Sequence, residues 1–289
     1  MAIVLTLLLN GVANGALYFL TAAGLTLVFG LMRVLNFAQG GVYLWGGYVA
    51  TAIFTATNNF LLAILGAIVA SGLIGFLIEW GLIRPVYQNG TGQLLITMGA
   101  MLVLSEAIKI PFGPNELNSG TPTLLSQTCF VGQVVIIEYQ VFIIVISVLL
   151  FLLMKWILQK SRIGITIRAG VHNPDLVEAQ GIPLKRLFTM VFVAGSVLAG
   201  IAGALSGPYF GSVTPTMGFD TQLNAFIIIV VGGLGSLEGA FVGSFLIGIV
   251  TAVVSYYTPS LAILVNVLVM AAVLLVRPQG LWGELEGQR

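Results

Sequence analysis

Two segments rich in glycine and amide side chains, and one charged loop, hold the residue types whose spacing could support chemistry. In Asn36-Phe37-Ala38-Gln39-Gly40-Gly41, two amides and two glycines stand at the start of an apolar run. In Gly232-Gly233-Leu234-Gly235-Ser236-Leu237-Glu238-Gly239, four glycines divide two apolar runs. Broken helices in lipid are tolerated where the freed backbone faces protein or a water-filled cavity, and transporters build substrate paths from such breaks. Asn36, Gln39, Gly40 and Gly41 are therefore candidate path residues. A plain loop between neighbouring spans is the alternative for both segments. It is the better reading for 232–239, which the charge pattern places at the cytoplasmic face.

The charged loop offers a different kind of site. Pro174 after Asn173 is a suitable helix start, and Asp175 and Glu178 then fall in the first turns, where negative charge suits the helix dipole. Gly181 and Pro183 end the element. The result is a short capped helix of roughly two turns, either a solvated connector or a docking knob for another protein.

The remaining ionisable groups read as structural. Glu106 and Lys109 are spaced to pair on one helix face, Glu79 is placed to pair with Arg84 or to snorkel, and Asp220 falls in an outer loop. His172 is the single histidine, in the basic loop, and Cys129 is the single cysteine, so no intrachain disulfide or CxxC metal framework is possible. The chain holds no GxxxxGK[ST] phosphate loop, HExxH, GxSxG or cluster of intramembrane carboxylates. A membrane-embedded enzyme or a proton-coupled carrier loses weight accordingly. No catalytic residue, metal site or cofactor of its own is expected.

The elements that must position these residues are membrane helices. Of 289 residues, 58% are hydrophobic and 7% charged, whereas a soluble domain is about a quarter charged. The apolar runs are continuous rather than alternating, which favours helices over a β-barrel. Candidate spans are roughly 5–31, 37–57, 60–83, 93–111, 138–158, 187–206, 222–237, 240–256 and 261–276. The expectation is an all-α polytopic transmembrane bundle of about nine helices, within eight to ten, some discontinuous, forming one domain over 1–289. With no basic residue ahead of it, the first run reads as a retained helix rather than a signal peptide.

Charge orients the bundle. Lys155, Lys160, Arg162, Arg168, Lys185 and Arg186 are six of the 11 basic residues and lie in or beside 159–186. The other long polar stretch, 112–137, holds Glu116 and no Lys or Arg before Val131. Cytoplasmic loops collect Lys and Arg, so 159–186 is expected inside, 112–137 outside, the N-terminus outside and the C-terminus inside. Small residues recur every four positions at Gly195, Ala199, Gly203 and Gly207, and again around Gly239, Gly243, Ser244 and Gly248. Such stripes let another backbone approach closely.

Five segments together carry a family resemblance: GLTLVFGLMRVLNFAQGGVYLWGGY at 24–48, EAQGIPLKR at 178–186, LAGIAGALSGPYFGSVTPTMGF at 198–219, VVGGLGSLEGAFVG at 230–243 and RPQGLWG at 277–283. The chain resembles, over essentially its whole length, the branched-chain (hydrophobic) amino acid permeases of bacterial ABC importers. The resemblance implies an inner-membrane subunit paired with a second, related permease, two cytoplasmic ATPases that bind ATP and Mg, and a periplasmic binding protein. It implies that Asp175, Glu178, Ala179 and Gly181 belong to a coupling segment at about 160–186 that docks on the ATPase, and that import proceeds by ATP-driven alternating access. Family members commonly read Asn-Phe-Ala-His-Gly-Glu where this chain has Gln39 and Gly41, and similar permeases carry urea, amides or other amino acids. A self-sufficient channel for a small neutral solute is the rival outside this family.

Overall fold

Long apolar runs with few breakers dictate helices, and the computed structural model describes residues 2–87, 89–131, 134–161, 164–166, 169, 181 and 183–283. The helices are α1 (Ala2–Met32), α2 (Gln39–Thr57), α3 (Phe60–Ile78), α4 (Gly90–Ala107), α5 (Glu138–Lys160), α6 (Leu184–Phe210), α7 (Met217–Gly232), α8 (Leu237–Tyr257) and α9 (Ala262–Val276). A π turn, Glu79–Ile83, and a 3-10 turn, Arg84–Val86, extend α3, and a further turn, Lys109–Phe112, follows α4. Strand β1 (Leu117–Asn118) pairs antiparallel with β4 (Ser212–Val213), and β2 (Thr128–Val131) with β3 (Val134–Ile137).

The fold is an all-α polytopic bundle. Among the described residues, seven helices are long and apolar enough to cross a membrane, where about nine were expected. The two that fall short are α2 and α7. Helix α7 has 16 residues, and α2 carries glycine, threonine and an amide within 19 residues. Both are packed among other helices, with most of α2 and α7 buried. A helix screened from lipid by protein needs neither full length nor full apolarity. Lipid-facing α3, α5 and α9 instead expose Leu, Ile and Val along their outer faces.

Small residues set the helix spacing. A Cβ on Gly46 would lie 2.5 Å from the Gly200 Cα, and one on Gly11 would lie 2.7 Å from the Ile249 Cα. Helices α2 and α6, and α1 and α8, therefore touch backbone to backbone. The stripe Gly195, Gly203 and Gly207 is this contact face, meeting Gly24, Tyr43 and Thr51 in turn. Between these close contacts Phe19, Phe151 and Phe241 form an aromatic cluster, with Phe151 and Phe241 stacked at 4.2 Å.

Candidate substrate path

The chain between α1 and α2 doubles back into the bundle. Arg33, just past α1, takes the left-handed conformation with φ of 54°, and the following residues carry no helix until Gln39. Gln39 does not start at a rim. Its Nε2 donates to the Gly195 carbonyl at 2.8 Å, near the middle of α6, and it also abuts Gly24 of α1. Asn36, Gln39, Gly40 and Gly41 are all buried.

A break at this depth must satisfy its own backbone, and side chains do so here. The Asn36 Oδ1 accepts from the Ala38 N–H at 3.0 Å, and the Asn36 Nδ2 donates to the Gln39 Oε1 at 3.2 Å. From α7, the Gln222 Oε1 accepts from the Gly40 N–H at 2.8 Å, and its Nε2 donates to the Asn36 carbonyl at 3.4 Å. The sequence did not single out Gln222; an amide inside an apolar run was the available signal.

Helix α7 begins at the same level. A Cβ on Gly218, in its first turn, would sit 2.7 Å from the Gly40 carbonyl oxygen. The two helices start side by side and then diverge. Helix α2 runs parallel to α6, while α7 runs to Gly232 at the opposite end. There the Lys155 Nζ of α5 pairs with Glu238 at 2.9 Å. Asp220, expected in a loop, lies in the first turn of α7, because the extended residues Ser212–Val213 return the chain into the bundle before that helix begins.

A small cavity adjoins this junction, and a larger one meets it at Phe210. The first, of about 180 Å³, reaches Tyr18, Tyr43, Asp220, Thr221 and Asn224; the second, of about 620 Å³, opens beside Asn10, Asn14, Gln140 and Tyr209. Asn36 and Gln39 line neither; they form the packed network one helical turn away.

The segment 232–239 is a tight turn between α7 and α8. Gly233 and Gly235 have φ of 106° and 85°, and the chain near the C-terminus packs on it, with Leu281 N–H donating to the Val231 carbonyl at 2.8 Å. Glu106 and Lys109 pair at 2.6 Å. Glu79 is fully buried, and its carboxylate accepts from the Tyr87 and Thr189 hydroxyls rather than pairing with Arg84, the Thr189 bond being 2.8 Å. Burial, and after it the Glu79 carboxylate, push the Tyr87 phenol up, so it remains the proton donor.

Of the coupling residues, Asp175, Glu178 and Ala179 lie outside the described residues, as does His172. Gly181 is described, in a turn with φ of 78°, and α6 starts three residues later at Leu184. No group of three or more His, Cys, Asp or Glu placed to hold a metal ion occurs among the described residues.

Fold and site thus define a polytopic membrane protein with a polar junction buried at its centre. Residues 7–277 match the family described as branched-chain amino acid transport system / permease component. The chain is 31% identical to the high-affinity branched-chain amino acid transport system permease protein LivH of Salmonella typhimurium, over 97% of this chain and 96% of the relative. It is 30% identical to BraD of Pseudomonas aeruginosa, a permease described in the same words, over 98% and 96%. A more distant relative, the autoinducer 2 import system permease protein LsrC of Yersinia pestis, is 26% identical over 81% of this chain and 66% of its own length. No solved structure matches the chain. The chain belongs to the branched-chain amino acid transport permease family, and its role is transport rather than catalysis.

Proposed function

We propose that this chain is a permease subunit of an ABC importer of the bacterial inner membrane, moving branched-chain or other hydrophobic amino acids inward by alternating access. The observation that carries the reading is the family match across 7–277, joined by relatives described as branched-chain amino acid permeases over nearly their full length. Its partners are a second, paralogous permease, two cytoplasmic ATPases that bind ATP and Mg, and a periplasmic binding protein. The whole chain acts as one transmembrane domain. Helices α2 and α7 complete the expected nine segments as inner, protein-screened spans, and the basic loop at about 160–186 and the C-terminus face the cytoplasm. Asp175, Glu178, Ala179 and Gly181 dock on the ATPase.

Asn36, Gln39, Gly40 and Gly41 seal the path in the closed state. The amide network supports this role, because it joins the α1–α2 connection, α2, α6 and α7 and can part when they tilt. The departures at Gln39 and Gly41 do not favour urea or an amide. Gln39 satisfies both ends of its amide within the protein, and a Cβ on Gly41 would meet the Leu104 Cδ1 at 2.8 Å, so a small residue there serves the packing of α4.

Purification of the tagged chain from its native membrane, with mass spectrometry of co-purifying proteins, tests the assembly. Two P-loop ATPases and a second permease are the expected partners. A chain that survives crosslinking alone, and conducts solute without ATP, would instead be a channel.

A further inference from the structure

We propose that the smaller cavity at the α2–α7 junction is the holding site for an α-amino acid with an uncharged, apolar side chain, with Asp220 taking its ammonium group. The inference rests on the importer reading and assigns the residues that recognise the cargo.

The cavity lies deep along the bundle, since Leu17 and Tyr18 come from the middle of the 31-residue α1. Its volume of about 180 Å³ is well below the roughly 300–1,000 Å³ of sites for drug-sized ligands. A molecule of few heavy atoms is the right occupant. Its polar side is built from one acid and several donors. Asp220 stands exposed at the mouth, while Tyr43, Thr221 and Asn224 are buried behind it. Asn266 donates to the Asn224 Oδ1 at 3.0 Å, so what Asn224 presents to a ligand is its amide donor. Thr221 is already bonded to Tyr43, and Tyr18 to Thr251, with the tyrosine oxygens on the accepting side, so the Tyr18 and Tyr43 O–H groups are the further donors.

One carboxylate facing a set of neutral donors complements a zwitterion. The carboxylate accepts from an ammonium in a charge-assisted bond, and the hydroxyls and amide donate to the ligand's own carboxylate. A urea or a plain carboxylic acid would use half of this site and leave the rest unpaired. The remaining wall is apolar, from Leu17, Met217 and Phe210. A charged cargo side chain would be left without a partner against it. Phe210 also borders the larger cavity of about 620 Å³, whose Asn14 and Asn10 continue the polar face of α1 one and two turns before Tyr18. Cargo entering there passes Phe210 to reach Asp220.

The test uses the assembled transporter with its ATPases, second permease and binding protein in proteoliposomes, loaded with radiolabelled leucine. ATP hydrolysed per leucine imported is the readout, because a merely misfolded permease lowers both quantities together. Asp220→Asn is expected to raise that ratio roughly tenfold, the weight of one charge-assisted hydrogen bond, and Asp220→Glu to recover most of the loss. A ratio for Asp220→Asn equal to that of the unaltered transporter overturns the assignment. If Asp220→Asn does not assemble, Tyr43→Phe decides: a rise of roughly threefold or more supports the site, and an unchanged ratio overturns it. Absence of leucine uptake by the unaltered assembly would refute the importer reading itself, a result distinct from uptake that ignores Asp220.

Discussion

Gln222 and Gly40 stand 182 residues apart in the chain, yet the Gln222 Oε1 accepts the Gly40 N–H at 2.8 Å where two helices begin side by side. Two helix N-termini in contact bring together positive dipole ends and unpaired donors. Gln222 answers one of those donors and, through its Nε2, the carbonyl of Asn36.

Gln222→Leu removes this partner while keeping a similar bulk. The buried Gly40 N–H is then left unpaired, which costs about 1–3 kcal/mol. Thermal unfolding of the purified protein in detergent checks this. A transition at the unaltered temperature would mean that the α2 start is held by other contacts.

The amide pair at the break is the next test. Asn36→Leu abolishes the bonds that tie the α1–α2 connection to the start of α2, and Gln39→Leu abolishes the bond from α2 to α6. Each substitution is expected to slow amino-acid uptake by roughly tenfold, the scale of a lost buried polar contact. Uptake kinetics in vesicles identical to those of the unaltered protein would remove these residues from the path.

Glu79, in the π turn after α3, is tied to Tyr87 ahead of α4 and to Thr189 in the first turns of α6. Hydrogen bonds to a charged group contribute about 1.5–3 kcal/mol. Tyr87→Phe and Thr189→Val are each expected to destabilise the protein within that range, and together by less than twice as much, because both act on one carboxylate. Denaturant unfolding of the two single variants and the double variant measures it, and strict additivity would show that the two hydroxyls act apart.

Close packing of α2 on α6 predicts a steep steric penalty. Gly46→Val places a branched side chain against the Gly200 Cα, which a Cβ alone already approaches to 2.5 Å. Overpacking of this kind costs about 1–3 kcal/mol. Reduced yield of folded protein on size-exclusion chromatography, with a lower melting temperature, is the expected outcome.

Coupling to the ATPases is tested at the charged loop. Glu178→Ala is expected to lower both uptake and cargo-stimulated ATP hydrolysis by roughly tenfold, as loss of a charged docking contact would. Full activity in vesicles would exclude Glu178 from the docking segment.

What the sequence determined by itself follows from local physics. Continuous apolar runs from Tyr139 to Leu158 and elsewhere can satisfy their backbone in lipid as helices, so the all-α bundle and most span positions could be read directly. Four-residue glycine spacing announced the close faces of α6 and α8, and the three-residue spacing of Glu106 and Lys109 announced their ion pair. The amide-glycine segment at 36–41 announced a break, because those residue types are costly in an uninterrupted apolar helix. The tertiary structure alone decided how deep that break lies, since depth depends on the contact of Gln39 with Gly195 rather than on the segment's own composition. It also decided that Gln222 seals it, that Asp220 opens α7 instead of sitting in a loop, and that Glu79 is held by Tyr87 and Thr189. Each of these depends on groups brought together from distant parts of the chain, and periodicity along one helix carries no record of which neighbour it will face.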